Sequence, residues 1–597
     1  MALVTEVKQP GKILYEHPVH HKHEDENVLI RETDKTVNGS EALILSLIEE
    51  GVDTIFGYPG GAIMPIYDAL YHHRHELNHV LVRHEQGATH AAEGYAQIAG
   101  KPGVCFATSG PGATNLITGI ADAMLDSVPI VCITGQVPTA FLGTDAFQET
   151  DVMSLAMPIT KWCYQIADAD EIPYIIAKAF YIARSGRPGP VLIDITKDAQ
   201  FADMNEPFRY EKRKQIKGYK PAAKPREQDI INAAKLINEA KKPFMFVGHG
   251  ILLSKAQEAA LRFVEKTGIP VASTLLGLSA FPTDHELYVG MLGMHGNYAP
   301  NVLTNEADVI IAVGMRFDDR VTGNLERYAR QAKVVHIDID HAEIGKNVLP
   351  AVGIIADANE ALSALLPHVE EKQHPAWRAE FDKYFEQEYD KVIKKDFTAE
   401  GENIRMGEVV RRLSERTDGR AVVVADVGQH QMAAARYSRF QETDSWLTSG
   451  GLGTMGYALP SALGAKMGAP HREVVAIIGD GCFQMTIQEL GTIAQTGMAV
   501  KIIVLNNQYL GMVRQWQEMF FEHRYSFVEL TNPDFITIAK GFGIEGHRCN
   551  HADDLESSID TLIKAEGAYL LEVMVEKESN IFPMIPSGFG VGQMRLE

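Results

Sequence analysis

The chain has 597 residues, of which 45% are hydrophobic and 22% are charged, and its formal net charge at pH 7 is −22. One hydrophobic core rarely grows to this length, so we expect three or four domains. The acidic balance argues against a nucleic-acid-binding surface, because neutralising phosphates requires clustered lysine and arginine. No uninterrupted apolar run approaches the roughly 18 residues that indicate a membrane-spanning helix.

The beginning of the chain contains the polar tract HPVHHKHEDE and has no hydrophobic periodicity. We interpret residues 1–35 as a disordered N-terminal tail, although clustered histidines also bind metals. The segment lacks the basic and apolar regions of a secretory signal. Five cysteines lie mostly in apolar stretches. These features together predict reduced thiols and a cytoplasmic protein.

Short apolar strands alternate with amphipathic helices through three blocks. In the first block (36–205), the stretches TIFGYPGGA, VCFATSGPGATN, PIVCITGQ and PVLIDI are typical of parallel strands that end in loops. A charged segment with proline and glycine but no apolar face follows and is predicted to be a linker (206–228). The second block (229–370) has predicted strands at PFMFVG, DVIIAVG and VVHIDID.

A predicted helical connector (371–400) leads to the third block (401–578). Its predicted strands are AVVVADVG, VVAIIGDG and VKIIVLNN, and the block closes near YLLEVMVE. The final segment (579–597) contains too much proline and glycine for regular structure, and we expect it to be a tail near the active site.

The alternation of strands and helices predicts an α/β fold with three open, mostly parallel sheets. Ligands of such sheets bind at the carboxyl ends of the strands. The segment 109–136 has the same order of turn, helix and strand as the segment 477–512. This similarity suggests that the first and third blocks are related domains.

The segment IIGDGCFQMTIQELGTIAQTGMAVKIIVLNNQYLGM carries oxygen ligands at the ends of two successive predicted strands. Asp480 follows the first strand and Asn507 follows the second, so their side-chain oxygens can converge on one hard cation such as Mg²⁺. Gly479 and Gly481 permit close backbone approach, and the N–H groups of the following helix favour an anion. The paired motif predicts a Mg²⁺-bridged diphosphate, whereas GDG on its own is better explained by a tight turn.

The GDG…NN pattern resembles the signature of thiamine-diphosphate enzymes. The resemblance implies that Asp480, Asn507 and the backbone carbonyl of Tyr509 bind Mg²⁺. It also implies that Glu85, in VRHEQGATHAAEGYA, bonds the aminopyrimidine ring of the coenzyme and helps to remove the C2 proton. On its own, Glu85 is also explained as an acid that stabilises a helix N-terminus. The family places its active site between the first domain of one subunit and the third domain of its partner.

A longer series of motifs, from about residue 56 to 517, resembles the catalytic subunits of the acetohydroxyacid synthase (acetolactate synthase) family. These motifs are FGYPGGA, RHEQGA, SGPGATN, GTDAFQE, SGRPGPV, GMHG, RFDDRVTGN, GLGTMGYALP, GDG…NN and GMVRQWQ. The resemblance implies that the three domains bind the pyrimidine, FAD and the diphosphate.

The same resemblance implies an activity. Pyruvate is decarboxylated on thiamine diphosphate, and the remaining two-carbon unit is transferred to a second pyruvate or to 2-ketobutyrate. The products are 2-acetolactate or 2-aceto-2-hydroxybutyrate, in valine, leucine and isoleucine biosynthesis. The implied partners are a second copy of the chain, in a homodimer or a dimer of dimers, and a regulatory small subunit. No nucleic acid or membrane is an expected partner.

Position by position, the resemblance implies the site residues. The catalytic residues are Glu85, Gly61 and Gln148. The substrate pocket contains Phe147, Gln148, Lys197, Met512 and Trp516, with Trp516 favouring 2-ketobutyrate. The thiamine diphosphate contacts, besides Glu85 and the metal ligands, are Gln429, His430, Met455, Gly479, Gly481 and Met512, and Met455 holds the coenzyme in a bent shape. RFDDRVTGN and VVHIDID resemble the flavin-binding form. Its FAD contacts are Arg187 and the spans 295–316 and 338–357, which begin and end at His295, Arg316, Asp338 and Asp357.

Several of these residues have simpler explanations when the resemblance is set aside. Met512 and Trp516 lie four residues apart, which is more typical of a core pair on one helical face. Asp338 after a strand is only slightly better explained as a ribose ligand than as a surface acid. Two other functions also stay open: a flavin-reducing relative such as pyruvate oxidase, and a catalytically silent regulatory or scaffold chain.

Overall fold

The computed structural model describes residues 30–32, 36–398 and 404–597. Within these ranges the chain forms three six-stranded sheets and one two-stranded antiparallel pair, and neighbouring strands in all three large sheets are parallel. The central strands are continuous apolar runs, such as Val474–Gly479, because helices cover both faces of each sheet. The predicted α/β fold with three open parallel sheets is confirmed.

The part of the first domain that the structure describes contains eight strands and eight α-helices. The strands are β1 (Ile30–Glu32), β2 (Thr54–Gly57), β3 (Asn78–Leu81), β4 (Gly103–Ala107), β5 (Ile130–Gln136), β6 (Trp162–Ile166), β7 (Val191–Thr196) and β8 (Arg209–Glu211). The helices are α1 (Gly39–Glu50), α2 (Met64–His72), α3 (Glu85–Ala99), α4 (Pro111–Asn115), α5 (Ile117–Asp126), α6 (Val152–Ala156), α7 (Ile172–Arg184) and α8 (Lys197–Phe201). The sheet order is β3-β2-β4-β5-β7-β6.

The middle domain has the strand order expected of a dinucleotide-binding sheet. Its strands are β9 (Pro243–Val247), β10 (Val271–Ser273), β11 (Tyr288–Met291), β12 (Val309–Val313), β13 (Lys333–Asp338) and β14 (Val352–Ile355). Its helices are α9 (Glu227–Glu239), α10 (His249–Leu253), α11 (Gln257–Thr267), α12 (Tyr298–Thr304), α13 (Asp319–Thr322) and α14 (Ala358–Leu365). The order β11-β10-β9-β12-β13-β14 is 3-2-1-4-5-6 within the domain, and its direction reverses between β9 and β12.

The connector between the middle and third domains is helical. It consists of α15 (Pro375–Glu388), a π-helical turn (Tyr389–Ile393) and α16 (Lys394–Asp396). Trp377 and Phe381 of α15 are buried against Phe244 of the middle domain. The connector is therefore packed against the middle domain along much of its length.

The third domain repeats the topology of the first. Its strands are β15 (Val422–Ala425), β16 (Trp446–Thr448), β17 (Val474–Gly479), β18 (Lys501–Asn506), β19 (Glu545–Cys549) and β20 (Tyr569–Met574). Its helices are α17 (Met406–Arg416), α18 (Gln429–Tyr437), α19 (Ala458–Gly468), α20 (Asp480–Met485), α21 (Leu490–Thr496), α22 (Gly511–Phe520), α23 (Phe535–Gly541) and α24 (Leu555–Lys564). The order β16-β15-β17-β18-β20-β19 is 2-1-3-4-6-5 within the domain, as in the first sheet. The similarity suggested by the segment 109–136 is therefore present in the topology.

The first and third domains of the same chain pack through α3 and α19. A Cβ at Gly94 would overlap the Ser461 carbonyl, and a Cβ at Gly464 would overlap the Ala91 carbonyl. Glycine at these two positions lets the helix backbones approach each other closely. This packing places the helix that begins at Glu85 directly against the third domain.

Two predicted irregular segments require correction. Residues 1–29 and 33–35 of the predicted tail lie outside the described residues, but residues 30–32 form β1. This strand pairs with β8, which lies inside the predicted linker (206–228), and α9 also begins within that linker. The pairing gives the backbone N–H and C=O groups of both segments partners, so neither segment is irregular throughout.

The C-terminal segment after β20 packs against two domains. Ile581 is buried in the core of the third domain, whereas Ile585, Val591 and Met594 are buried in a cluster of the middle domain. The segment therefore links the domain that contains β17 and β18 to the dinucleotide-type sheet. Among the described residues, none of the helices combines the length and the apolar character that crossing a bilayer requires.

Candidate active site

The carboxyl edge of the third sheet collects the predicted oxygen ligands. In the β17–β18 pair, Gly479 lies opposite Leu505, so Asp480 and Asn506 leave their strands side by side. Asn532 Nδ2 donates to Asp480 Oδ2 at 2.6 Å and to Asn506 Oδ1 at 3.0 Å. Asn507 follows directly, and its Oδ1 accepts from the Tyr509 N–H at 3.1 Å. All of these residues therefore lie at one edge of one sheet.

The electrostatics of this edge fit a divalent cation. Asp480 is 1% exposed, and burial raises the pKa of its carboxyl to about 6. A cation beside the carboxylate would lower that pKa again and offset the cost of burying the charge. Carboxylate, amide and carbonyl oxygens are the ligands that Mg²⁺ takes in proteins, usually completed by phosphate oxygens and water.

The beginning of α18 lies against the same edge. Asn507 Nδ2 donates to Gln429 Oε1 at 3.4 Å, and a Cβ at Gly511 would overlap the Gln429 amide. Gln429 Nε2 in turn donates to Gln515 Oε1 at 3.0 Å. The His430 ring packs against Gly479, and its Nε2 is buried with no partner among the described residues. Burial lowers the pKa of His430 to about 3, so the ring is neutral. An unpartnered ring nitrogen at this edge fits a bound polar group such as a diphosphate.

The loop that carries Met455 is held by two acids of α5. Ser449 Oγ donates to Asp122 Oδ1 at 2.6 Å. The Gly450 and Gly451 N–H groups each donate to the Asp126 carboxylate at 2.7 Å. Neither acid was predicted from the sequence, because their bonds to this loop span more than 300 positions of the chain. The two acids lie one helical turn apart beside a glycine-rich motif, and this pattern was the signal from which they could have been predicted.

Glu85 is the first residue of α3 and is 8% exposed. Its Oε2 accepts from Asn115 Nδ2 at 2.9 Å. A Cβ at Gly112 would lie 3.2 Å from Oε1, so glycine leaves space beside that oxygen. Asn115 lies within the SGPGATN motif and was not predicted as a site residue, although its place in a glycine-rich loop after a strand was a usable signal.

The other catalytic and substrate residues predicted in the first domain lie around the carboxyl edge of the first sheet, as Glu85 does. Gly61 is exposed and follows Gly60, which packs on Thr108 just beyond β4. A Cβ at Gly110 would lie 2.8 Å from the Gln148 carbonyl, which places Gln148 beside the SGPGATN loop. Phe147 is 87% exposed, and Lys197 begins α8 directly after β7. This part of the predicted site is therefore open to solvent in a single chain.

A cavity of about 890 Å³ lies where the three domains meet, beside the reversal point between β9 and β12. Ligands of doubly wound sheets bind at this point. Its lining includes all five predicted flavin residues together with three predicted thiamine and substrate residues: Arg187, His295, Arg316, Asp338, Asp357, Met455, Met512 and Trp516. The volume lies in the range of pockets for large ligands and far exceeds that of a three- or four-carbon acid.

The polar residues of this cavity differ in how fully they are already bonded. Arg187 donates from Nη1 to Glu343 Oε1 at 3.0 Å. Asp338 Oδ1 accepts from the Asp340 N–H at 2.8 Å, and burial raises the pKa of Asp338 to about 6. Asp357 Oδ1 accepts two N–H groups at the beginning of α14, so helix capping also explains this acid.

Two further residues predicted to contact FAD, His295 and Arg316, make contacts outside the strands of the middle-domain sheet. His295 Nδ1 lies 3.2 Å from the Pro583 carbonyl in the C-terminal segment. Burial lowers the pKa of His295 to about 4, which keeps its ring neutral. Arg316 Nη2 lies 3.7 Å from Asp318 Oδ2, a long contact that leaves most donors of the guanidinium for a ligand.

Met512 and Trp516 lie on α22, four residues apart, and both line the cavity. Trp516 Nε1 is buried and has no partner among the described residues. A core pair would pack against apolar side chains throughout, whereas these two residues border open space. The explanation of Met512 and Trp516 as a simple core pair is therefore less suitable than a role in ligand binding.

The structure thus assembles the predicted site residues into two groups. The third-domain and flavin residues surround one sheet edge and the adjoining cavity. The group from the first domain comprises Glu85, Gly61, Phe147, Gln148 and Lys197, and none of them lines that cavity. One chain therefore presents two separate parts of the predicted site.

Three family models match the chain, one for each domain. The thiamine pyrophosphate enzyme N-terminal TPP binding domain matches residues 37–155, the central domain of these enzymes matches 230–365, and the C-terminal TPP binding domain matches 426–573. The chain is therefore a thiamine pyrophosphate (thiamine diphosphate) enzyme, which confirms the predicted coenzyme.

Relatives with high identity define the family more narrowly. The acetolactate synthase large subunit of Corynebacterium glutamicum is 47% identical over 564 residues, which cover 92% of this chain and 89% of the relative. Acetolactate synthase 1, chloroplastic, of Nicotiana tabacum is 47% identical over 575 residues, or 93% of this chain and 84% of the relative. The acetolactate synthase isozyme 2 large subunit of Escherichia coli K12 is 45% identical over 560 residues, or 94% and 99%. The chain belongs to the acetolactate synthase large-subunit family, as the motifs predicted.

Proposed function

We propose that the protein is the catalytic subunit of an acetolactate synthase. It decarboxylates pyruvate and joins the remaining two-carbon unit to a second pyruvate or to 2-ketobutyrate. The observation that carries the proposal is the convergence of Asp480, Asn506 and Asn532 at the edge of a sheet that matches a thiamine pyrophosphate-binding domain. The product is 2-acetolactate or 2-aceto-2-hydroxybutyrate. Its formation is the first common step towards valine, leucine and isoleucine.

Asp480, Asn507 and the Tyr509 carbonyl are the proposed Mg²⁺ ligands. Asn532 holds the Asp480 carboxylate from outside this set, and such outer partners fix the orientation of ligands. Gln429 and the unpartnered His430 Nε2 are placed to contact the diphosphate. When bound, thiamine diphosphate supplies an electron sink for the pair released as CO₂ leaves a 2-keto acid.

Glu85 is the proposed proton-handling acid. With thiamine diphosphate bound, its carboxylate would form a charge-assisted hydrogen bond to the aminopyrimidine ring, and this bond would help the ring to take up the C2 proton. The Asn115 amide holds Oε2, and Gly112 leaves space beside Oε1. This arrangement supports the assignment, because one carboxylate oxygen is fixed while the other has room for a ring nitrogen.

Residues from both groups would form the substrate pocket. Met512 and Trp516 line the cavity from α22, while Phe147 and Gln148, with Gly61 and Lys197, lie on the open edge of the first sheet. A Trp beside the acceptor keto acid adds apolar area that the longer chain of 2-ketobutyrate can cover. Trp516 is therefore the proposed determinant of acceptor choice.

A second copy of the chain is the proposed partner that completes the site. In one chain Phe147 is almost fully exposed and the acid Glu85 is not part of the cavity. Covering this edge with the third domain of a partner would bury the exposed aromatic ring and bring the two groups together. The proposed assembly is therefore a homodimer or a dimer of dimers.

Three further assignments belong to the proposal. FAD would occupy the cavity along Arg187, His295, Arg316, Asp338 and Asp357 and act structurally, since the reaction involves no net redox change. Several relatives are named large subunits, which supports a regulatory small subunit as a partner. We also propose a cytoplasmic location, although the tobacco relatives are named chloroplastic.

A product assay tests the function directly. The protein is incubated with pyruvate, with and without 2-ketobutyrate, in the presence or absence of thiamine diphosphate and Mg²⁺. We expect CO₂ release and acetolactate only when the coenzyme is present, and the second product when 2-ketobutyrate is added. Bleaching of bound flavin at the rate of turnover would indicate an oxidase instead, and no CO₂ release would indicate a silent chain.

A further inference from the structure

A buried ion pair joins the helical connector to the third domain. Arg436, near the end of α18, donates from Nη2 to Glu388 Oε1 at 2.7 Å, and both side chains are fully buried. Glu388 is the last residue of α15. Because both charges leave water, such a pair offsets its desolvation cost only where further hydrogen bonds complete it.

Three of those further bonds go to one loop of the middle domain. Glu388 accepts from Asn297 Nδ2 at 3.1 Å and from the Tyr298 N–H at 2.7 Å. Arg436 Nη1 donates to the Gly296 carbonyl at 3.0 Å. The pair therefore binds three successive residues, two in the loop and the first residue of α12, and fixes that loop against α18.

The same loop and the same helix carry residues assigned to two different cofactors. His295, the neighbour of Gly296, lines the flavin cavity. Gln429 and His430, proposed to contact the thiamine diphosphate, begin α18. Arg436 lies about two turns further along this helix. A rigid helix transmits displacement from one end to the other, so the loop and the coenzyme-binding residues are mechanically connected.

A second connection runs through the C-terminal segment. The Pro583 carbonyl bonds His295, and the Ser579 carbonyl accepts from Gln429 Nε2 at 2.9 Å. His295 is neutral, so this route consists of hydrogen bonds alone. The ionic part of the connection is therefore concentrated at Glu388 and Arg436.

We propose that Glu388 and Arg436 are positioning residues that couple FAD binding to thiamine diphosphate binding. The inference rests on the cofactor assignments of the proposed function. FAD in the cavity orders the loop, and through the ion pair the loop fixes α18 and hence Gln429 and His430. Linkage is reciprocal, so thiamine diphosphate tightens FAD binding by the same factor. The flavin thereby gains a role in a reaction without net redox change.

The coupling is measured as a ratio of dissociation constants on the full chain. The Kd of thiamine diphosphate at saturating Mg²⁺ is determined by calorimetry with and without saturating FAD, and the Kd of FAD is determined by flavin fluorescence in the converse experiment. We expect a wild-type ratio of about 5 to 150, the usual range of such couplings. In Glu388→Gln the ratio falls below about 5 while each cofactor still binds alone.

Two additional variants keep the experiment interpretable. Glu388→Gln leaves the Arg436 charge buried without its counter-ion, which destabilises the fold. The double variant Glu388→Leu with Arg436→Met removes both charges, and apolar replacement of a whole buried pair usually preserves folding. We expect the coupling to be lost there as well. Glu380→Gln, which neutralises a partly exposed acid paired with Lys383 on the same helix, is the matched control and keeps the wild-type ratio.

The possible failures are distinguishable. A double variant that folds, binds both cofactors and retains the wild-type ratio overturns the inference, and so does a wild-type ratio of one. If FAD does not bind the wild-type chain, the flavin assignment fails together with the inference. Acetolactate formation is tested independently by the product assay, so the proposed reaction can stand when the coupling does not.

Discussion

The first and third domains have the same sheet topology but differ in how completely the edge that carries their functional residues is covered. When the strands are numbered within each sheet, both sheets have the order 2-1-3-4-6-5. In the third domain the edge residues Asp480 and Asn507 are buried. In the first domain the corresponding edge presents exposed Gly61 and almost fully exposed Phe147.

The difference arises from the connections rather than from the strands. After β18, the chain returns over its own edge, and Asn532 from that return bonds Asp480 and Asn506. In the first domain no comparable return covers Phe147 among the described residues, and its ring is 87% exposed, so that edge stays open. One scaffold therefore supplies a closed edge, which we propose binds the cation, and an open edge, which we propose a second copy covers.

The largest effect is expected where the closed edge is broken. Asp480→Asn removes the charge that balances the cation, and we expect the affinity for thiamine diphosphate with Mg²⁺ to fall at least about 100-fold, since changes to outer partners alone cost 10- to 100-fold. Calorimetric titration measures the loss. Asp534→Asn, at an exposed helix cap nearby, is the control. Affinity within a few-fold of wild type would remove Asp480 from the metal site.

A comparable change at the open edge should affect turnover instead of binding. Glu85→Gln keeps the size of the side chain but cannot take up or release the proton, so we expect kcat to fall about 100-fold or more. Coenzyme affinity should change little, because the Mg²⁺ ligands are intact. Steady-state kinetics at saturating coenzyme measure the effect, with Glu76→Gln as a control. Turnover close to wild type would refute the role of Glu85.

A smaller effect is expected at the cavity that adjoins the closed edge. Trp516→Leu removes apolar area beside the acceptor, and we expect the preference for 2-ketobutyrate over pyruvate to fall about 10-fold. Acetolactate formation from pyruvate alone should be retained. Product ratios in a competition assay measure the change, and Phe521→Leu, just beyond the same helix, is the control. An unchanged ratio would contradict the assignment.

The smallest effect is expected at Asp122, where the first domain contacts the third domain, and it should appear in the stability of the protein. Burial and the neighbouring Glu93 raise the pKa of Asp122 to about 8. Between about pH 4 and pH 8 the native state therefore keeps a proton on Asp122 that the unfolded chain has already released. The stability that this proton provides decreases over that range and is lost once the pH has risen through 8. The Asp122→Asn variant has no titratable carboxyl group at this position. We expect its free energy of unfolding to fall with pH less steeply than that of the wild type, and the two slopes to differ by up to about 1.4 kcal/mol per pH unit.

Thermal unfolding at several pH values between 5 and 9 checks this expectation. Asp418→Asn, with an exposed side chain, should keep the wild-type pH dependence. Glu93 and Asp126 also have raised pKa values, so part of the dependence persists in Asp122→Asn. Identical profiles for Asp122→Asn and the wild type would show that Asp122 does not hold this proton.

The central strands were easier to predict from the sequence than the edge strands. Strands such as β12 and β17 are buried throughout and appear as continuous apolar runs. The strands that were not predicted include β6, β11, β14 and β19, which lie at sheet edges and are partly exposed. Their mixed composition, as in EGHRC, carries no clear periodicity because only part of each strand is buried.

The candidate site shows a similar division. Asp480 and Asn507 were predictable because each ends a strongly apolar strand at a recognisable spacing. Asn532 was not, because it reaches the site from a distant loop, and for Asp126, which reaches the site from another domain, the only sequence signal was its spacing from Asp122. Contacts between segments far apart in the chain depend on the packing of domains, which local sequence patterns do not encode.

Mixing two inactive variants tests most directly whether the open edge of one copy completes the closed edge of another. Glu85→Gln and Asp480→Asn chains are each purified, mixed in equal amounts under conditions that allow exchange, and assayed for acetolactate. With random pairing into dimers, half of the sites in each mixed dimer have both native residues, so about a quarter of wild-type activity should return. Activity that stays at the level of the separate variants, although mixed dimers form, would contradict a site shared between two copies.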